Sequence, residues 1–208
     1  MTSSLYILIS YLIGSVSTGL IIAILYADTD PRTMGSGNIG ATNVGRVTGP
    51  ALGRITLIGD LGKGFVPVLL APFVNPSPVY VGLVAIAVFV GHCYSVFLRF
   101  KGGKGVATAA GAILALSPLA AIVALLAWAG MTRWTHQASV ASIATAVMAP
   151  ILVLWLTPQY LWVAITLMVG ILYHHRSNVV RLFEGEELST WRSTTPTPPQ
   201  TVDPRAEE

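Results

Sequence analysis

Charge is scarce in this chain. Asp, Glu, Lys and Arg together make up 10% of the 208 residues, against about 25% in an ordinary soluble domain. With 53% hydrophobic residues and a mean hydropathy of +0.69, the composition excludes a soluble globular domain and places the chain in the membrane class. Cysteine is almost absent. Cys93 stands alone, which excludes an internal disulfide framework and a multi-cysteine zinc site and leaves it as a small packing residue. The net charge of +3 is too small and too dispersed for a nucleic-acid partner. No Lys or Arg precedes Arg32, so the positive n-region of a cleaved signal peptide is missing. Residues 5–27 are read as a retained first span. No internal repeat is evident.

Apolar stretches run over 5–27, 54–74, 79–98, 106–131, 139–157 and 160–173. The fourth carries Ser117-Pro118 at its middle, and proline ends or kinks a helix. Read as one span, it puts Arg133 and the C-terminal cations on the opposite side from Arg32, Arg46 and Lys101. Read as two short spans, it puts all twelve Lys and Arg residues on one side. The positive-inside bias favours the second count. The expectation is an all-α integral membrane protein with seven transmembrane helices, its N-terminus outside and its C-terminus in the cytoplasm. The fourth helix, 106–117, is short at about 18 Å by helical rise. A re-entrant hairpin gives the same parity. Asp60 and Lys63 interrupt the second span at i, i+3 and can pair. A salt bridge is preferred over a functional role for them, although intramembrane charge is by default a functional candidate.

Three polar islands fall on the cationic side. The first, Gly35 to Arg46, reads GSGNIGATNVGR. It holds too many glycines for a stable helix, and its amides can converge on an anion. Ser36, Asn38, Thr42 and Asn43 add polar groups, and Arg46 offers a bidentate fork for phosphate. The second, HCYSVFLRFKGGKGVAT from His92 to Thr108, ends one span and opens the next helix. A glycine loop before a helix N-terminus suits an anion, and Lys101 and Lys104 add charge. It is not a Walker A motif, because Lys104 is followed by Gly105 rather than Ser or Thr and position 98 is Leu. Nucleotide hydrolysis is therefore unsupported. The third, HHRSNVVRLFEGEE from His174 to Glu187, follows the last span. His175 and Asn178 at i, i+3 share a helical face, and Arg181 and Leu182 continue an amphipathic segment. Nothing completes a metal-ligand set around the two histidines, so no metal and no cofactor are expected. A smaller stretch, 132–142, contributes Ser139 and Ser142 from one face.

Gly-rich turns, Arg, Lys, Asn, Ser and His brought to one membrane face suit a small phosphorylated molecule beside a lipid. Phosphate needs several donors and one or two cations. Acyl transfer needs oxyanion donors and a group that manages the hydroxyl proton. No Ser-His-Asp arrangement is visible. The residues five after His92, His136, His174 and His175 are Phe97, Ala141, Val179 and Val180, so a His-x4-Asp signature is missing too.

GSGNIGATNVGRVTG, GHCYSVFLRFKGGKGVAT and HHRSNVVRLFEGEE, in this order over roughly residues 5–187, resemble the three motifs of the bacterial acyl-phosphate-dependent glycerol-3-phosphate acyltransferases (PlsY type). The resemblance implies a seven-helix fold in the inner membrane with its active site facing the cytoplasm. It implies transfer of a fatty acyl group from acyl phosphate to the sn-1 hydroxyl of glycerol 3-phosphate, giving lysophosphatidic acid and phosphate. Carried over by position, Ser36, Arg46 and Lys104 hold phosphate groups with the backbone of Gly102, Gly103 and Gly105. His175 and Asn178 stand at the reacting centre, Ser139 lies nearby, and His92 supports the site. Asn38, Thr42, Asn43 and Lys101 join the substrate-binding set. Whether a side chain or the substrate's own phosphate takes the hydroxyl proton is left open.

The implied partners are glycerol 3-phosphate, acyl phosphate, membrane lipid and a soluble enzyme that supplies acyl phosphate. Ile39 stands where the family usually has proline, which implies a looser first loop. The Thr-Arg-aromatic-Val-Ser run is expanded by about two residues, which leaves Ser139 and Ser142 both open. Residues 1–188 are read as one acyltransferase domain and 189–208, rich in Thr and Pro, as a disordered cytoplasmic tail. A transporter of organic phosphate and a non-catalytic scaffold remain as competing readings. Transporters often carry an internal repeat and midplane polar sites, which this chain does not show.

Overall fold

The computed structural model describes residues 2–190, and every regular element among them is helical. The first apolar stretch is two helices, α1 (Ser3–Ser15) and α2 (Thr18–Ala27). The chain turns extended at Val16, and Ser17 caps α2 by accepting from the Leu20 amide at 3.4 Å. A serine at an N-cap satisfies one of the orphan amides of a helix start, so the run Ser15-Val16-Ser17 carries the break. The two helices together, Ser3–Ala27, still make one segment long and apolar enough to cross a membrane, as read over 5–27.

A second correction concerns the first island. Its second half is a helix, α3 (Ala41–Thr48), with Gly40 as N-cap. Three of its glycines, 35, 37 and 40, lie outside the helix. Gly45, the one inside, faces Gly53 of the next helix, α4 (Pro50–Leu70). Tertiary packing of the two helices thus outweighs the propensity cost of one glycine. Ile39 is buried, and a Cβ on Gly19 would overlap its carbonyl. The loop is pinned there by burial instead of by a proline ring.

The remaining helices are α5 (Pro78–Cys93), α6 (Val106–Leu116), α7 (Pro118–Thr135), α8 (Ala138–Leu156), α9 (Leu161–His174) and α10 (Arg176–Glu184). The stretch 106–131 is divided at Ser117, with Pro118 in the first turn of α7, where its missing amide costs nothing. Among the described residues, four segments are long and apolar enough to cross a membrane: Ser3–Ala27, Pro50–Phe73, Pro78–Leu98 and Ala138–Leu156. Outward-facing Ile58, Leu126 and Trp155 belong to a broad apolar exterior, the surface expected where lipid is the solvent.

Inside, α5 packs against α1, α4, α6 and α9. Backbones approach closely through paired glycines. A Cβ on Gly14 would overlap the Val88 carbonyl, and one on Gly91 the Tyr11 carbonyl. Gly64 and Gly111 relate α4 to α6 in the same way, against Thr108 and Leu61. Without a hydrophobic drive between helices in lipid, such close contact is the main source of association. The Phe89 ring lies between Gly105 and Gly170, tying the loop before α6 to α9.

Candidate active site

The chain segments between helices meet at one end. A pocket of about 240 Å³ opens there, lined by Ser36, Gly37 and Asn38 from the first loop, Gly102, Gly103 and Lys104 from the second, and His174, Arg176, Ser177 and Arg181 from α9 and α10. The three islands therefore form one cavity. The fourth stretch joins through Thr190: its amide donates to the His136 carbonyl at 2.8 Å, and its hydroxyl accepts from the Ala138 amide at 2.9 Å.

Asn43 builds the first loop. Its amide nitrogen donates to the carbonyls of Pro31, Met34 and Asn38, at 2.8, 3.1 and 2.9 Å. Its Oδ1 accepts from the Ser36 amide at 2.8 Å and from Arg46 Nη1 at 3.1 Å. Asn43 is thus a scaffold residue, and Arg46 is locked beside it. The rest of the Arg46 guanidinium donates to the Ser189 carbonyl, from Nε at 3.3 Å and Nη2 at 3.2 Å. Burial pulls the Arg46 pKa down, against the attraction of Glu187.

The second loop is held from below. The amides of Gly102 and Gly103 donate to the carbonyls of Cys93 and His92, at 3.0 and 3.1 Å. Those two N–H groups are therefore spent on the fold, and the loop offers the pocket its shape and the Lys104 ammonium. Gly105, at φ +79°, turns the chain into α6, whose first amides lack intrahelical partners.

Lys104 reaches across to the third island and donates to Asn178 Oδ1. Asn178 Nδ2 donates to Glu187 Oε1 at 2.7 Å, and Arg181 Nε donates to Glu187 Oε2 at 2.9 Å. Burial lowers the Lys104 pKa to about 8; Glu187 raises it, and Arg181 and Arg46 lower it further. His175 sits at the joint between α9 and α10. Its Nδ1 lies 2.8 Å from the Ile171 carbonyl, so Nδ1 carries the proton and Nε2 keeps its lone pair. Burial lowers the His175 pKa to about 4, although the bond to Ile171 opposes the shift. The ring is therefore neutral at pH 7.

Ser36, Asn38, Gly102, Gly103 and Lys104 line the pocket, and Asn178 is bonded to its lysine. Arg46, Asn43 and His175 are buried around it. Thr42, on the first turn of α3, and Lys101, exposed on the second loop, do not line it. Ser139 is buried in the first turn of α8 with its hydroxyl unpaired among the described residues. Ser142 accepts from Trp128 Nε1 at 3.0 Å and donates to the Ala138 carbonyl at 2.7 Å. Sequence reasoning did not single out Arg176, Ser177, Glu187 or the Ser189 carbonyl. The acidic run closing the third island, beside so many cations, was the available signal for Glu187.

A family model described as glycerol-3-phosphate acyltransferase matches residues 4–185. The chain belongs to the glycerol-3-phosphate acyltransferase family. A glycerol-3-phosphate acyltransferase of Solidesulfovibrio magneticus is 44% identical over 193 residues, covering 92% of this chain and 96% of the relative. One from Syntrophotalea carbinolica is 47% identical over 190 residues, covering 89% and 97%. The crystal structure of PlsY (YgiH), an integral membrane glycerol 3-phosphate acyltransferase, in its glycerol 3-phosphate form superposes with a TM-score of 0.84 at 38% identity, covering 90% of this chain and 94% of that one. Its lysophosphatidic acid form superposes with 0.82 at 37% identity, with the same coverage. This member of the glycerol-3-phosphate acyltransferases is thus an integral membrane acyltransferase of phospholipid synthesis. The transporter reading finds no support among these relatives.

Proposed function

We propose that the pocket binds glycerol 3-phosphate and that acyl phosphate is the acyl donor. The observation that carries this reading is the convergence of Lys104, Arg181 and Arg176 on one small cavity beside Ser36 and Asn38. Two phosphorylated reactants need this excess of cations, and Arg46 stands behind it for the second phosphate. PlsY (YgiH) is known in a glycerol 3-phosphate form and a lysophosphatidic acid form, which match the first substrate and the product of this reaction.

The sn-1 hydroxyl oxygen attacks the acyl carbonyl carbon. A new ester C–O bond forms, the bond between that carbon and the phosphate oxygen breaks, and inorganic phosphate leaves. The hydroxyl proton must go to a base. His175, at about 4, is weaker than a phosphate oxygen, whose second pKa is about 6. The leaving phosphate therefore takes the proton, while the Nε2 lone pair of His175 accepts from the neighbouring sn-2 hydroxyl and so orients the glycerol for attack. Ser139, with its hydroxyl uncommitted, and Asn178 complete the surroundings of the reacting carbon. His92, Asn43, Thr42 and Lys101 act further out.

The same reading puts the site on the cytoplasmic face of the bacterial inner membrane. It assigns seven spans, an outside N-terminus, a single domain over 1–188 and a cytoplasmic tail. The positive-inside bias supports it, and so does the division of 106–131 into α6 and α7. Tail residues 191–208 lie outside the described residues. A soluble enzyme that makes acyl phosphate is the expected supplier.

Activity is tested by phosphate release from acyl phosphate and glycerol 3-phosphate by the purified full chain. No release, with uptake of labelled glycerol 3-phosphate into proteoliposomes instead, would sink the assignment. Topology is tested by impermeant maleimide labelling of single cysteines at Asn43, Gly103 and Asn178. All three must react from the same side.

A further inference from the structure

Asp60 lies in the middle of an apolar helix and is 2% exposed. One of its oxygens, Oδ1, draws groups from three helices. Thr18 Oγ1 of α2 donates to it at 2.5 Å. Lys63 Nζ, one turn along α4, stands 2.8 Å away, and His92 Nδ1 of α5 stands 3.7 Å away. The Lys63 ammonium also donates to the Val16 carbonyl at 2.7 Å, at the break between α1 and α2. The next carbonyl there, that of Ser15, accepts from Ser95 Oγ at 2.6 Å. Ser95 opens the loop that runs to Gly105.

His92 joins this cluster to the pocket. It is 5% exposed, and its Nδ1 has no hydrogen-bond partner among the described residues. The other edge of the ring meets the second loop. A Cβ on Gly103 would overlap His92 Nε2, and the Gly103 amide donates to the His92 carbonyl. The ring is thus wedged between Asp60 and the backbone that presents Lys104. A buried ion pair contributes little net stability, because desolvation offsets its attraction. An ionisable pair at membrane depth is by default a candidate for a functional role.

We propose that Asp60, Lys63 and Thr18 form a positioning device for the phosphate site. The ion pair fixes His92 from behind, and His92 sets the height of Gly102–Lys104 in front, so that the ammonium lands on Asn178. His92 is then a positioning residue and takes no part at the reacting carbon. The proposal rests on the reading of the pocket as the phosphate site.

A merely structural cluster would govern thermal stability, whereas a positioning device governs substrate affinity at equal stability. The full chain in proteoliposomes is assayed with glycerol 3-phosphate varied at saturating acyl phosphate, and Tm is read in detergent. Thr18→Val removes one donor and leaves both charges paired. The double variant Asp60→Asn/Lys63→Met removes both charges together and strands neither. The expected result is a KM for glycerol 3-phosphate raised about threefold by the first and about tenfold by the second, with kcat within about twofold. For Thr18→Val the Tm stays within about 2 °C of the parent.

An unchanged KM in both variants overturns the proposal. So does a lowered kcat at constant KM, or a KM that rises only where Tm falls. If the double variant does not fold, Thr18→Val alone decides. Lys104→Met separates this proposal from the site reading. A raised KM there with none in either Thr18→Val or the folded double variant sinks the positioning device alone. An unchanged KM in Lys104→Met sinks the phosphate site and the device with it.

Discussion

Lys104 and Asn178, 74 residues apart, meet across the pocket, and the ammonium donates to the asparagine's Oδ1. Asn178 is at once acceptor for a cation and donor to Glu187 Oε1. An amide fills both roles, whereas a carboxylate can only accept. Asn178→Ala and Asn178→Asp should each lower kcat/KM about 100-fold. The aspartate would keep the lysine and set two carboxylates against each other. Steady-state phosphate release measures this, and an active Asn178→Ala enzyme would remove the residue from the site.

Lys104 also sets the alkaline limit. Its pKa is lowered to about 8, so the ammonium is lost as pH rises through that value, and phosphate binding with it. KM for glycerol 3-phosphate should climb above pH 8. Lys104→Arg keeps its charge far beyond that. It should lose the alkaline rise while costing about tenfold in kcat/KM at pH 7. A pH–rate series on both proteins decides.

At acid pH the sign is set by His175. Folded, its pKa is about 4 against an ordinary 6.5, so the unfolded chain binds more protons between those values. Stability should therefore rise with pH across that window and be lost below it. Thermal unfolding from pH 4 to 7 tests this, with His175→Gln expected to flatten the slope.

The two serines of α8 should separate cleanly. Ser142 is bonded to Trp128 and to the Ala138 carbonyl, so Ser142→Ala should cost about 1 kcal/mol of stability and leave most activity. Ser139, whose hydroxyl is unpaired among the described residues, should behave in reverse: Ser139→Ala lowers kcat about tenfold at an unchanged Tm. The opposite pattern would exchange their roles.

Arg46 depends on the end of the described chain. A protein ending at Thr190 should be fully active, because every contact described above is retained. One ending at Leu188 loses the Ser189 acceptor and the Thr190 contacts with His136 and Ala138. Its Tm should fall by a few degrees. Equal Tm values for the two truncations would show these contacts to be idle.

Residues whose role is local were legible in the sequence. Asp60 and Lys63 lie one helical turn apart, and their pairing follows from that spacing. Pro118 announces a helix start, and glycines before Val106 announce another. The loops that make the pocket could be named because apolar composition fails there. What stayed hidden depends on partners distant in sequence. Helix α3 forms because Gly45 finds Gly53, not because its own propensity is high. The Val16 carbonyl is freed from α1 and satisfied by Lys63, 47 residues on. Nothing in its local sequence ties Glu187 to the pocket, yet its two oxygens accept from Asn178 and Arg181.

Helix α6 has 11 residues and so spans about 17 Å, little more than half of a hydrocarbon core about 30 Å thick. None of its residues is exposed, and it lies against α4, α5, α7 and α9. Protein, not lipid, therefore surrounds this short segment, and the bilayer need not thin to meet it. Its first turn, two residues after Lys104, is set by the height of longer neighbours such as α4. Turnover should then be insensitive to the length of the host lipids.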